Sequence, residues 1–461
     1  MFGKKTPAYV SGPVSSLKKG FNIKLKGSAQ PVIEDVAVST FAIQPTNFIG
    51  MSPIPKLMVE LGDEVKAGDH LFFDKKRPEI KYVAPVSGEI AAINRGEKRS
   101  ITEVMIIADK DQKYRELPSL DLSSSSREDI VNYLIDSGAW TLMRQRPFNL
   151  IADPKQIPTN IFISTFDTAP LAPDLNLVVQ GQEDAFQEGV KVLSKLTNGD
   201  VWLGLNANGK EAPAQVFQEV EHAKKHWFMG PHPSGNVGIQ IHHIKPISRK
   251  DVVWALDIQQ VMTIGKLFIE KRYNAGRIIA VTGEVKKPVY IKTKQGAKIS
   301  DILKGQEVDE IARIISGDVL SGQEQHMEGF LNYYDDQITV IPEGNEFELF
   351  GWLLPLKARP SVSKTYPNFL FPNREFTANT NPHGEGRAFV VTGQYEDLLP
   401  MDIYPQHLMK AILTQDYEKM EGLGIYELSE EDVALCEFAC TSKQPLQEIL
   451  REGLEYMREQ G

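Results

Sequence analysis

The chain has 461 residues and a formal net charge of −10; 41% of its residues are hydrophobic and 24% charged. That length exceeds what one core sustains and implies roughly two to four domains. The acidic balance excludes a nucleic-acid binder, which needs a positive footprint, and gives no electrostatic reason to dock on anionic lipid. Cys436 and Cys440 are the only cysteines, which excludes a disulfide framework and fits a reducing compartment. No run approaches the ~18 apolar residues of a membrane-spanning helix. The early lysines have no apolar stretch behind them, so a secretory signal is not expected. These features predict a soluble, multidomain, cytoplasmic protein, a description that still allows a peripheral component of a membrane complex.

Residues 1–20 read as an N-terminal tail. Over 21–110, short β-type runs alternate with turn signals, and Gly62, Gly68, Pro85 and Gly88 mark the bends. The spacing V-x-x-G-D-x-V-x-x-G-x-x-L followed by A-P-x-x-G resembles the barrel-sandwich hybrid of biotinyl and lipoyl carrier domains. The carrier lysine would fall at Lys75 or Lys76, but the usual flanking residues are absent, so a scaffold without a swinging arm is expected.

The serine-rich stretch 109–128 reads as a linker whose end caps a helix at 127–137. Across 127–262, apolar runs such as 160–166 and 200–206 alternate with helical patterns, notably 184–199, which predicts a Rossmann-like α/β layer. The segment beginning at Arg277 predicts a hairpin bent at Lys286-Lys287-Pro288, then a short helix capped near Ser300; this resembles the β-grasp module called SLBB. Further strands are expected at 338–344 and 347–355, within a domain spanning 277–376, and a helical region over 393–461. The expected class is α/β and α+β multidomain: barrel-sandwich hybrid, Rossmann-like layer, β-grasp (SLBB-like) domain and helical C-terminal region.

No dinucleotide fingerprint is present. GLNANG (204–209) follows a strand but has the wrong glycine spacing, and no Walker loop occurs. His222 and His226 would lie one turn apart on a helix, without the glutamate of a zinc-protease motif. His242 and His243, read as strand neighbours, would point to opposite faces and could not share an ion. Cys436 and Cys440, at i and i+4 of a predicted helix, form a candidate thiol pair beside Leu435 and Phe438, where ordinary buried thiols are the simpler reading.

The stretches 62–99, 146–151, 161–174, 228–244, 315–322, 343–352, 393–403 and 428–440, in this order, resemble the NqrA family, components of the bacterial Na⁺-translocating NADH:quinone oxidoreductases. The related C component of the Rnf complex needs eight cluster-binding thiolates, which two cysteines cannot supply. The resemblance implies a six-subunit membrane complex in which this chain is peripheral, on the cytoplasmic face of the inner membrane. It implies that FAD, FMN, riboflavin and iron–sulfur groups belong to the NqrB to NqrF partners, and that this chain binds no cofactor of its own. It also implies a part in quinone binding or reduction, or a purely structural role in the same assembly.

A quinone site needs an apolar, aromatic wall and a few donors for the carbonyls, and histidine suits that work near neutral pH. In FMGPHPSGNVGIQIHHI (228–244), Phe228, Gly230, His232 and Gly235 are therefore the candidate quinone-binding residues, with Trp227 and Met229 beside them. A sharp turn fixed by glycine and proline, with His232 satisfying the backbone, explains the same residues. No catalytic residue and no metal ligand is expected.

Overall fold

The computed structural model describes residues 6–344, 359–362, 367–371 and 373–460. The strand expected at 347–355 lies outside them.

A seven-stranded sheet forms the centre. Its order is Val14–Ser16, Lys224–Met229, Asp200–Asn206, Asn160–Ser164, Val253–Asp257, Arg144–Arg146, Leu150–Ile151. The first five strands are parallel and the last two antiparallel. Strands buried on both faces need helices above and below, and the two central runs, Asn160–Ser164 and Val253–Asp257, are buried along all but their last residue. Helices Glu183–Ser194 and Ile258–Glu270 cover one face, packing so closely that a Cβ on Gly189 would lie 2.1 Å from the Val261 carbonyl. The helix Arg127–Asp136 starts at Ser126 with the capping box that its sequence predicts.

After Asn160–Ser164 the chain works outward through Asp200–Asn206 to Lys224–Met229. It then returns to lay Val253–Asp257 on the opposite side of Asn160–Ser164. The strand order therefore reverses between 160–164 and 253–257. In open α/β sheets, the helices leave in opposite directions at such a reversal and open a crevice at the carboxyl ends of the strands.

The segment read as a tail is not one. Val14–Ser16 is the edge strand of this sheet, opposite Trp227–Met229, and Trp227 Nε1 donates to the Ser11 carbonyl at 2.9 Å. Nor does the barrel segment keep all its strands. Gln30–Asp35 pairs in parallel with Val289–Lys294 in a six-stranded sheet of order 323–325, 312–316, 337–342, 276–283, 289–294, 30–35. Neither pairing is visible locally, because each short strand finds its partner more than 200 residues away. The remaining strands between 40 and 108 form one sheet of four strands and one of three.

The hairpin at Gly276–Gly283 and Val289–Lys294 turns at the expected prolyl bend. The short helix after it, Ile299–Ile302, has Lys298 rather than Ser300 as its N-cap. Helices Pro405–Leu413, Glu430–Ala439 and Leu446–Gln460 share a separate apolar core with Phe228, Phe166 and Leu17, which docks this region on the central sheet.

Candidate functional site

The turn 228–236 links the strand Lys224–Met229 to the helix Val237–Ile244. Phe228 is fully buried, with its ring 4.9 Å from His226 and 6.5 Å from His243. A Cβ on Gly230 would meet Leu17 at 2.7 Å, so glycine there lets the N-terminal strand close over the turn. The His232 backbone N–H donates to Asn22 Oδ1 at 2.8 Å, and Thr168 Oγ1 lies 3.1 Å from His232 Nδ1. The same Thr168 oxygen accepts the Gly235 N–H at 3.0 Å. Nε2 of the ring is buried with no partner among the described residues. Burial pushes His232 down to about 4, against the opposing charges of Asp318 and Glu431. Desolvation of this kind favours the neutral ring, which weighs against proton delivery by His232 near neutral pH.

The four candidate residues are brought together, but of the four only Gly235 lines a cleft. With Asn236 and Val237 it forms one side of a cleft of about 210 Å³. The cleft lies where the strand order reverses. Ser164, Phe166 and Asp167 border it from the end of 160–164, and Leu256 and Asp257 from the end of 253–257. Gln240 clamps this corner: its Nε2 donates to Ser164 Oγ at 2.8 Å, and its side chain crosses over Gly204. The opposite wall comes from the six-stranded sheet and its loops, through Asp318, Tyr334, Asp335 and Asp336, and Glu431 closes the cleft from the C-terminal helices.

Arg144 lies 5.2 Å from the centre of the Tyr334 ring at this border. Arg277 is buried, its Nη1 3.8 Å from Asp257 Oδ1, while Nε and Nη2 have no partner among the described residues. Arg146, also buried, donates from Nη2 to Glu431 Oε1 at 3.0 Å and lies 3.8 Å from Asp432 Oδ2, tying the C-terminal helices to the sheet beneath the cleft. Enclosure by the walls pushes Asp336 up to about 8; Asp257 and Asp167 add to this and Arg277 opposes it. Burial also raises Asp335. At neutral pH the Asp336 carboxyl favours its O–H form beside carboxylates, a mixture that can donate and accept hydrogen bonds around one small ring.

Asp335, Asp336, Arg144 and Arg277 are not legible as site residues in the sequence. The signal available is the acidic pair that follows two tyrosines in 333–336, directly before a strand. Four stretches that carry the family resemblance, 161–174, 228–244, 315–322 and 428–440, each contribute a wall residue.

The other candidates do not converge. His222 sits in a turn with φ of 63°, while His226 lies in the following strand with Nε2 2.9 Å from Ser15 Oγ, so no helix pairs them. His242 and His243 lie in the helix Val237–Ile244, not in a strand. His242 Nδ1 meets Glu427 Oε2 at 2.7 Å, and His243 Nε2 meets the Pro400 carbonyl at 2.7 Å. Among the described residues, no group of three or more His, Cys, Asp or Glu side chains could hold a metal ion. Cys436 is helical and Cys440 is the cap that ends its helix, and both thiols contact Tyr395. Both are buried and free: Tyr395 donates its hydroxyl hydrogen to Cys440 Sγ at 2.8 Å, and burial pushes the Cys436 thiol up. Lys75 and Lys76 are exposed at the hairpin tip.

Three models of one family match the chain: the NqrA N-terminal barrel-sandwich hybrid domain over residues 15–109, the NqrA second alpha/beta domain over 125–273 and the NQRA C-terminal domain over 278–326. Curated relatives match nearly end to end. The NqrA component of the Na(+)-translocating NADH-quinone reductase of Yersinia pestis bv. Antiqua is 37% identical over 450 residues, covering 96% of this chain and 99% of that protein. Its counterparts from Neisseria meningitidis serogroup B and Alcanivorax borkumensis are 38% and 36% identical, with the same coverage. A solved chain of an NAD⁺-reducing [NiFe]-hydrogenase overlaps more loosely, at a TM-score of 0.38 and 11% identity over 73% of this chain and 66% of its own. On the family models and the end-to-end identity, the chain belongs to the NqrA family, a constituent of the Na⁺-translocating NADH-quinone reductase, which is an oxidoreductase complex.

Proposed function

We propose that this chain is the peripheral component of a sodium-pumping NADH:quinone reductase that takes a quinone headgroup in the cleft between the 160–164 and 253–257 strand ends. The observation that carries this reading is the cleft itself. It opens where the strand order reverses, presents the rings of Phe166 and Tyr334, and offers both acidic donors and carboxylate acceptors. At about 210 Å³ it is smaller than the roughly 300–1,000 Å³ of a site that engulfs a whole drug-sized ligand. A single ring would enter and its isoprenoid tail would remain outside. His232 stands behind the Gly235 wall as a neutral, buried support.

In this reading, the parallel layer is a Rossmann-like support for the cleft and the 276–342 sheet a β-grasp module that completes it. The five partner proteins carry the flavins and iron–sulfur groups, this chain holds none, and it docks on the cytoplasmic face of the membrane. Among the described residues no helix is long and apolar enough to cross a bilayer, which agrees with a peripheral position.

A purely structural role in the complex is the second reading. It is favoured by Phe228 and Gly230, two of the candidate wall residues, which are spent on interior packing. Titration of the purified chain with a short-chain quinone decides between them. Saturable binding at micromolar concentrations supports the quinone role, and none leaves the scaffold.

A further inference from the structure

Six carboxyl groups border the cleft, and five of them are already committed. Asp167 Oδ1 accepts the Ala169 N–H at 2.8 Å, and Asp257 Oδ1 caps its helix through the Gln260 N–H at 2.8 Å. Asp318 accepts from the Leu320 N–H at 2.7 Å and the Ser321 hydroxyl at 2.5 Å. Asp335 accepts from Ser316 Oγ at 2.7 Å and Asn332 Nδ2 at 3.1 Å, and Glu431 from Arg146 at 3.0 Å. The Asp336 carboxyl makes no hydrogen bond among the described residues. Its backbone is nevertheless held, because the carbonyl accepts the Ala280 N–H at 2.9 Å at the start of the Gln337–Pro342 strand. Nearby, the buried guanidinium of Arg277 keeps two nitrogens unused. A fixed backbone, an uncommitted acid and a buried cation beside a ring-sized cleft form a donor poised for an acceptor atom that the chain does not itself supply.

We infer that Asp336 is the acid that protonates a carbonyl oxygen of the quinone seated in the cleft, and that Arg277 stabilises the carboxylate left behind. The inference rests on the quinone reading above. Reduction of a quinone to a quinol consumes two electrons and two protons. The electrons come from NADH oxidised elsewhere in the complex. The O–H bond of Asp336 breaks as the ring accepts charge, and a new O–H bond forms on the quinone oxygen. The second oxygen takes its proton from water at the open mouth, where Ser321 is exposed. Solvent then reprotonates Asp336, so the acid is regenerated in each turnover. The charged and titratable groups that face it are Asp257, Asp167 and Asp335 on the acidic side and Arg277 on the basic side, with Asp318, Glu431 and Arg144 on the farther walls.

The test is quinone reductase turnover against pH in the assembled complex, wild type beside Asp336→Asn and Asp336→Glu. NADH oxidation by an artificial electron acceptor serves as the control for assembly. Asp336→Asn is expected to lower kcat on the order of a hundredfold, with little change in KM for quinone, and Asp336→Glu to recover most of it. Wild-type turnover is expected to fall as pH rises through about 8, where the acid loses its proton. Asparagine turnover within about twofold of wild type, or a wild-type profile flat through about pH 9, would overturn the assignment. The wild-type profile stands even if the variant fails to assemble. Binding of a short-chain quinone to the purified chain separates the two levels: no binding overturns the quinone reading together with this inference, whereas binding with unimpaired Asp336→Asn turnover overturns the inference alone.

Discussion

Thr168 Oγ1 lies 3.1 Å from His232 Nδ1 and 3.0 Å from the Gly235 backbone nitrogen, so a single hydroxyl holds both ends of the turn that borders the cleft. Thr168→Val keeps the shape and removes that hydroxyl, leaving a buried ring nitrogen and a backbone N–H unsatisfied. The expected loss is about 1–3 kcal/mol in chemical denaturation, with Thr168→Ser close to wild type.

Gly235 packs against the same loop. A Cβ there would lie 2.7 Å from the Thr168 nitrogen and 3.0 Å from the Asp167 carbonyl carbon, both backbone atoms that cannot swing aside. Gly235→Ala is expected to cost about 1–3 kcal/mol and to weaken quinone binding, as the cleft wall must move. Thermal denaturation and quinone titration read the two effects separately.

Arg146 is the buried link between the sheet and the C-terminal helices, through Glu431 at 3.0 Å and Asp432 at 3.8 Å. Asp432 is pushed up to about 6 by burial and by Glu431, while Arg146 opposes both. Arg146→Met strands these acids without a cation. It is expected to destabilise the chain by about 3–5 kcal/mol, measured as a lower denaturation midpoint.

Asp336 should make stability depend on pH in a defined direction. Its folded value of about 8 lies well above that of an ordinary aspartate, so the fold favours the neutral acid. That contribution is fully present below about pH 4 and is lost as pH rises through about 8. Asparagine mimics the neutral form. Asp336→Asn should therefore match wild type in acid and exceed it by about 2 kcal/mol above pH 8, since solvent at the cleft screens part of the shift. Thermal denaturation of both proteins at several pH values checks this.

Local signals make much of the architecture legible. The capping residues at Ser126 and Asp129, the turn glycines of the barrel and the prolyl bend before Pro288 each act over a few positions. The helix 237–244 is easily misread, because its isoleucines and adjacent histidines fit either period. Its helical state is set by packing against the 160–164 strand and the C-terminal region. The cleft is the least legible feature. Arg144, Asp167, Asp257, Asp336 and Glu431 stand almost 300 residues apart at the extremes, and only the return of the 253–257 strand across 160–164 brings them to one place. Phe228 and Gly230 suggest a ligand wall because aromatic residues beside glycine suit pockets and tight packing equally.

Ser321→Trp reports where the quinone binds. Ser321 is exposed at the cleft mouth, so an indole there can enter a cavity of about 210 Å³ without disturbing a buried neighbour. Titration of the purified wild-type and Ser321→Trp chains with the same short-chain quinone is expected to give saturable binding for wild type and none for the variant, at unchanged thermal stability. Equal affinity in both proteins would place the quinone outside this cleft.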